Sequence, residues 1–152
     1  MDITLSVSSL VISLAAFAGT IVIYNITRRR ENYQNLLQRV SLYFTPEMNV
    51  AIHRLWDLYR DNGDSEFVDK YIEIMAIESK KEKLIPFTER MEYQLTTLHN
   101  QRRIVSAFWR GLGILLRNNL LPKETTFELW SCSDVDIVSK ILIPIENRLC
   151  DH

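Results

Sequence analysis

The chain has 152 residues, with 18 Lys and Arg against 19 Asp and Glu and a formal net charge of −1. A near-neutral balance argues against a dedicated nucleic-acid binder, which draws its affinity from neutralised phosphates. Cys132 and Cys150 are the two cysteines; they lack CxxC spacing and read as free thiols, so neither a disulfide nor a metal site is expected.

The first element is the most informative. From Ile3 to Thr27 no side chain is charged, and the run stops at Arg28-Arg29-Arg30. As a helix it would reach roughly 37 Å, against a hydrocarbon core of about 30 Å. The expectation is a transmembrane anchor over residues 1–27, followed by a cytoplasmic helical domain over 28–152. Arg28, Arg29 and Arg30 set the orientation, because basic residues beside a span mark the cytoplasmic side. This places the N-terminus outside and the protein in the inner (cytoplasmic) membrane, with the lipid bilayer as its first partner. Three rival readings are weaker. A cleaved signal peptide would use Ala16-Phe17-Ala18, but there is no basic segment before it and the run continues apolar through Thr20-Ile21-Val22-Ile23. A buried helix would need covering on all sides, and an interfacial amphipathic helix needs a charged face.

Within the run, Ser6, Ser9, Ser13, Ala16 and Thr20 recur at alternating spacings of 3 and 4, with Gly19 beside them. Small residues let helix backbones approach closely in lipid. Ser9, Ser13, Ala16 and Gly19 are therefore candidates for helix association, in a homo-oligomer or with another protein. The same residues are also common in apolar helices that make no such contact.

After Arg28 helical spacing recurs and no alternating strand appears, so the fold class is all-α, with a compact bundle of about five helices. The anchor helix continues to about Tyr43 with Leu36, Leu37, Val40 and Phe44 on its apolar face. Thr45-Pro46-Glu47 restarts a helix carrying Met48, Ile52, Leu55 and Tyr59 inward to a stop at Asp61-Asn62-Gly63. A further helix from Asp64 or Ser65 to Glu82 turns Val68, Tyr71, Ile72 and Met75 inward. Pro86 breaks the chain. One long helix is expected from Thr88 to Asn119, its apolar series Met91, Leu95, Leu98, Val105, Trp109, Leu112 and Leu116 interrupted by Arg102. Gly111 and Gly113 would mark a bend or a close helix crossing. Pro122 opens a short helix to Trp130. Ser133-Asp134-Val135-Asp136 resembles a capping box for the last helix, which Pro144 should kink or split.

Charge is segregated. Asp61 to Glu78 holds six acids and one Lys, and Arg102 to Lys123 holds five bases and no acid. Arg103, Arg110 and Arg117 are seven apart, which lines three guanidinium groups along one helix face. Such a row can clamp carboxylates or phosphates of an anionic partner. The preferred reading is internal: the acidic helix near Asp69 and Glu73 packs beside the row and pairs with it. Phe108-Trp109 with Trp56 and Trp130 suit a core better than a stacking platform, since Trp109 lies in the apolar series. His53 and His99 lack metal-ligand spacing, and Asp61-Asn62-Gly63-Asp64 fails as a calcium loop on register. No phosphate-binding glycine loop or nucleophile motif is present. No cofactor and no enzymatic activity are expected.

Arg103-Ile104-Val105 leading into Phe108-Trp109, then Leu112-Gly113, Leu120-Leu121, Trp130 and Ile143-Pro144-Ile145 with Arg148, resemble a group of bacterial single-span membrane-anchored helical domains of unknown function. The resemblance implies a helical fold and a bacterial source, and no activity or catalytic residue. The functional expectation is a membrane-anchored binding or adaptor protein that oligomerises or holds a partner at the membrane. The second expectation is a membrane effector or small pore-forming subunit triggered through its cytoplasmic domain.

Overall fold

A computed structural model of the chain describes residues 2–150, with side chains from Ser13 to Cys150 apart from Ser133. It is all-helical, and no strand occurs among the described residues. The helices are α1 (Asp2–Tyr43), α2 (Pro46–Leu84), α3 (Phe87–Thr96), α4 (Leu98–Arg117), α5 (Lys123–Leu129), α6 (Cys132–Ile137) and α7 (Ile143–Cys150), with a π-helical turn (Val138–Leu142) between the last two. Where about five helices were expected, the described residues form a long α2 and a series of shorter pieces after it.

The first two breaks follow the sequence signals. Thr45 caps α2, its hydroxyl accepting from Met48 N at 3.3 Å, with Pro46 behind it. Inside α2, Gly63 leaves helical geometry at φ 70°, ψ 176°. That left-handed φ is open to glycine at little cost, so the Asp61-Asn62-Gly63 stop is a kink between two helical segments.

The expected long helix from Thr88 to Asn119 is two helices. Thr97 stands at ψ 146° between them, and its hydroxyl accepts from Asn100 N at 3.2 Å. The decisive cap is remote: the Glu78 carboxylate on α2 accepts from Leu98 N at 2.9 and 3.0 Å. A carboxylate there meets both the orphan N–H groups and the positive end of the helix. Met91 and Leu95, taken as part of the apolar series, fall on the short α3 and are exposed. At its other end α4 closes with Asn119 at φ 54°, and Leu120 N donates to Leu115 O at 2.9 Å while Asn119 N donates to Leu116 O at 3.1 Å. These are the paired bonds of a Schellman stop.

The capping box of the last helical stretch sits two residues earlier than expected. Ser131 and Asp134 cap each other's backbone, which starts α6 at Cys132. The expected last helix is divided just ahead of Pro144, which stands as the second residue of α7. The chain widens by one residue per turn just ahead of it, so that Ile143 N reaches Val138 O. A π turn relieves the clash and the lost donor that proline brings to a helix interior.

The core gathers Leu36 and Tyr43 from α1, Ala51, Leu55, Phe67 and Tyr71 from α2, Val105, Phe108 and Leu112 from α4, and Ile137, Ile141 and Ile145 from the C-terminal stretch. The inward face of α1 is Leu36, Val40 and Tyr43. Leu37 and Phe44, expected inside, are 67% and 64% exposed.

Candidate functional site

Three features stand outside the core: the front half of α1, the arginine row of α4, and a groove beside that row.

Every described side chain of α1 from Ser13 to Arg30 is exposed, including Leu14, Phe17, Ile21, Ile23 and Ile26. Thr20 donates its hydroxyl to Ala16 O at 2.9 Å, so this polar group is satisfied within its own helix. Space around Gly19 is open. Ser13, Ala16 and Gly19 share this exposed segment, and the side chain of Ser9 lies outside the described residues. Arg28, Arg29 and Arg30 follow, all exposed. Among the described residues no helix is long and apolar enough to cross a membrane.

Past the arginines α1 joins the bundle through α4. Arg39 lies over Gly111, where a Cβ would sit 3.1 Å from the guanidinium. The neighbour at this glycine is the end of a long side chain and not another helix's backbone. The Tyr43 ring stacks among Phe108, Trp130 and Trp109, with centroids 5.1, 6.0 and 6.1 Å away. Its hydroxyl donates to Asp134 Oδ1 at 2.7 Å. Burial, reinforced by that bond, pushes the tyrosine well above its ordinary pKa. Burial also pushes the Asp134 carboxyl up, but the hydrogen bonds from Ser131 and Tyr43 outweigh it and hold the group below its ordinary value. One tyrosine thereby ties α1 to α4 and α6, and Trp109 and Trp130 belong to this cluster.

Arg103, Arg110 and Arg117 are exposed. Among the described residues none of them forms an ion pair. The proposed internal partners are engaged elsewhere: Asp69 faces Arg148 at 3.6 Å and Glu73 binds Lys70 at 2.8 Å. The arginine that does pair inside is Arg102, which is buried and bound to Glu146, whose carboxylate also accepts from Ser106 Oγ at 3.0 Å. Its place in the apolar series was the signal for burial. Nothing local pointed to Glu146, which comes from α7, forty-four positions later.

A groove of about 410 Å³ opens along α4, walled by Trp109, Leu112, Leu116, Phe127, Val135 and Leu142. Gly113 lines it, and a Cβ there would meet nothing within 4 Å. At one end Ser106, Arg110 and Glu146 are shared with a polar pit of about 240 Å³ that Arg103 also lines. The structure therefore brings Arg103 and Arg110 together at an apolar groove, while Arg117 stands apart at the end of α4. A volume of this size, apolar with few polar groups at one side, has the character of a binding cleft.

A second polar pocket, of about 450 Å³, includes Glu78, Glu82, His99 and Arg103. His99 Nδ1 lies 3.3 Å from the Tyr71 hydroxyl. Burial, then the charges of Arg102 and Arg103, lower its pKa. Glu78 is committed to capping α4, which gives this cluster a structural role. His53 is exposed on α2.

No family model, curated protein or solved structure matches the chain.

Proposed function

We propose that the chain is a membrane-anchored adaptor: the front of α1 spans a bilayer and the bundle holds a partner close to its inner face. The observation that carries this reading is the uncharged, largely apolar segment of α1 from Ser13 to Thr27, whose side chains are all exposed and which is followed by three arginines. Contiguous exposed apolar surface on this scale calls for a cover. A bilayer supplies one along the whole run Ile3–Thr27, and Arg28, Arg29 and Arg30 then orient the bundle toward the cytoplasm. Sedimentation after an alkaline carbonate wash tests anchoring; release of the protein into the supernatant overturns it. A reporter fused after the last residue tests orientation, with activity expected only on the cytoplasmic side.

The groove supports the adaptor part. Its apolar walls fit one face of an amphipathic helix, and the unpaired Arg103 and Arg110 at its end fit an acidic side chain on that helix. A photoreactive amino acid at Phe127 should crosslink an acidic helix-bearing protein in intact cells, and Arg110→Glu should abolish the adduct. An adduct unchanged by Arg110→Glu rules out acidic recognition. The effector reading draws less support, because Thr20 satisfies its hydroxyl within the helix and needs no water-filled pore to do so. Dye leakage from vesicles holding the intact chain, lost in Ser13→Leu, would reinstate it.

A further inference from the structure

We infer that the stalk-proximal end of the bundle is a second membrane-contact surface, built to rest on anionic lipid headgroups. The inference rests on the anchored reading.

It begins from the register of α4 against α1. Tyr43 meets Phe108, Arg39 covers Gly111, and Asn32 Nδ2 donates to Asn119 O at 3.4 Å. As α1 residue numbers fall, α4 numbers rise, so the two helices run antiparallel. The C-terminal end of α4 is therefore level with Asn32. Helix rise puts Asn32 only about 8 Å along the axis from Thr27, where the uncharged run ends. If residues up to Thr27 lie in lipid, the turn from Arg117 to Lys123 sits at headgroup level.

The chemistry of that end fits such a surface. Arg28, Arg29 and Arg30 on α1, and Arg117 and Lys123 on either side of the turn, are exposed. Glu31 and Glu124 are the acids on the same two stretches, so bases outnumber acids five to two. Leu120, at the apex, is 39% exposed. Basic side chains around one accessible aliphatic group match a negatively charged interface, where each base within a Debye length adds attraction. Arg117 also acquires a role here that the groove did not give it. No linker separates anchor and bundle: α1 is one continuous helix from Asp2 to Tyr43.

The test uses the full chain with Cys132→Ser and Cys150→Ser, carrying an environment-sensitive fluorophore at Leu120→Cys or, as a second position, Asn118→Cys. The protein is reconstituted in phosphatidylcholine vesicles with or without phosphatidylglycerol and with a headgroup-located quencher. Quenching should be strong in the anionic vesicles. The ratio of docked to undocked protein should fall about fivefold for each base removed in Arg117→Gln and Lys123→Gln. A probe at Ser79→Cys, near the opposite end of α4 and roughly 30 Å away by helix rise, should stay unquenched. Vesicles that float with the protein but leave the Leu120 and Asn118 probes unquenched, or that quench Ser79 equally, overturn this inference alone. Protein that fails to float overturns the anchored reading and this one with it.

Discussion

From Ser13 to Arg30 every described side chain of α1 is exposed, whereas Leu36 and Tyr43, further along the same helix, are 3% and 6% exposed. The backbone does not distinguish the two stretches, since one helix runs through both. The side chains do. The back half is amphipathic: Leu36, Val40 and Tyr43 point inward at helical spacing, and Arg39 reaches across to Gly111. From Ser13 to Thr27 the front half is uncharged and exposed, with Leu14, Phe17, Ile21, Val22, Ile23 and Ile26 among its side chains. A helix of that kind needs a surrounding solvent of its own character. Under the anchored reading, one helix serves two environments with the boundary drawn by charge at Arg28 and not by a break in conformation.

The sharpest way to test this contrast is to remove Tyr43. Tyr43→Ala deletes a ring in contact with four aromatic neighbours and removes the tyrosine's hydrogen bond to Asp134, whose carboxylate keeps those from Ser131. A loss of about 4 kcal/mol in bundle stability is expected, read by denaturant unfolding in detergent, with membrane association unchanged. A loss below about 1 kcal/mol would show that α1 is not part of the cooperative unit.

The mirror experiment charges the front half. Phe17→Asp should disfavour insertion by about 3 kcal/mol, moving protein from the membrane pellet to the supernatant. Bundle unfolding should stay within about 0.5 kcal/mol of the parent chain. Equal damage to both readouts would mean that the two halves are coupled after all.

Gly113→Leu separates binding from folding inside the bundle. A side chain there meets open space, so α4 should gain up to about 1 kcal/mol of stability from losing a helical glycine. The same side chain fills the groove and should abolish the Phe127 crosslink. A retained adduct would place the partner elsewhere.

The smallest effect is a pH dependence confined to the bundle. The folded-state pKa of His99 lies below its ordinary value, so the unfolded chain binds the extra proton first on acidification. The stabilisation is complete above about pH 6.5 and is lost as pH falls from there toward the folded pKa. His99→Asn should flatten this slope between pH 7 and 5 in denaturant titrations, while membrane association shows no such slope. An unchanged slope would assign the acid sensitivity to other groups.

Much of this architecture can be read from the residues where the signal is local. Thr45-Pro46, Gly63 and Pro122 act on their own neighbours, and each break falls where expected. Cores set by short spacing, such as Met48 with Leu55, were equally visible. The readings that missed depend on residues far apart in the chain. The split at Thr97 is completed by Glu78, twenty positions earlier, so the unbroken apolar series up to Leu98 gave no warning. Arg102 is the odd polar member of that series, but its partner Glu146 is supplied by α7, forty-four positions later. The arginine row was readable as a stripe. Its division into Arg103 and Arg110 at the groove, and Arg117 at the end of α4, required knowing where α5 and α6 lie.

The unbroken run of α1 across Arg28, Arg29 and Arg30 has a rotational consequence. Because nothing between the apolar segment and the bundle can swivel freely, the bundle's azimuth about the stalk is set by helical phase. One residue inserted between Arg30 and Asn32 would turn everything beyond it by about 100° while raising it only about 1.5 Å. Seven inserted residues would restore the azimuth to within about 20° but lift the bundle about 10 Å, near the screening length of dilute salt. Twist and height thus become two separately adjustable coordinates of the same shaft.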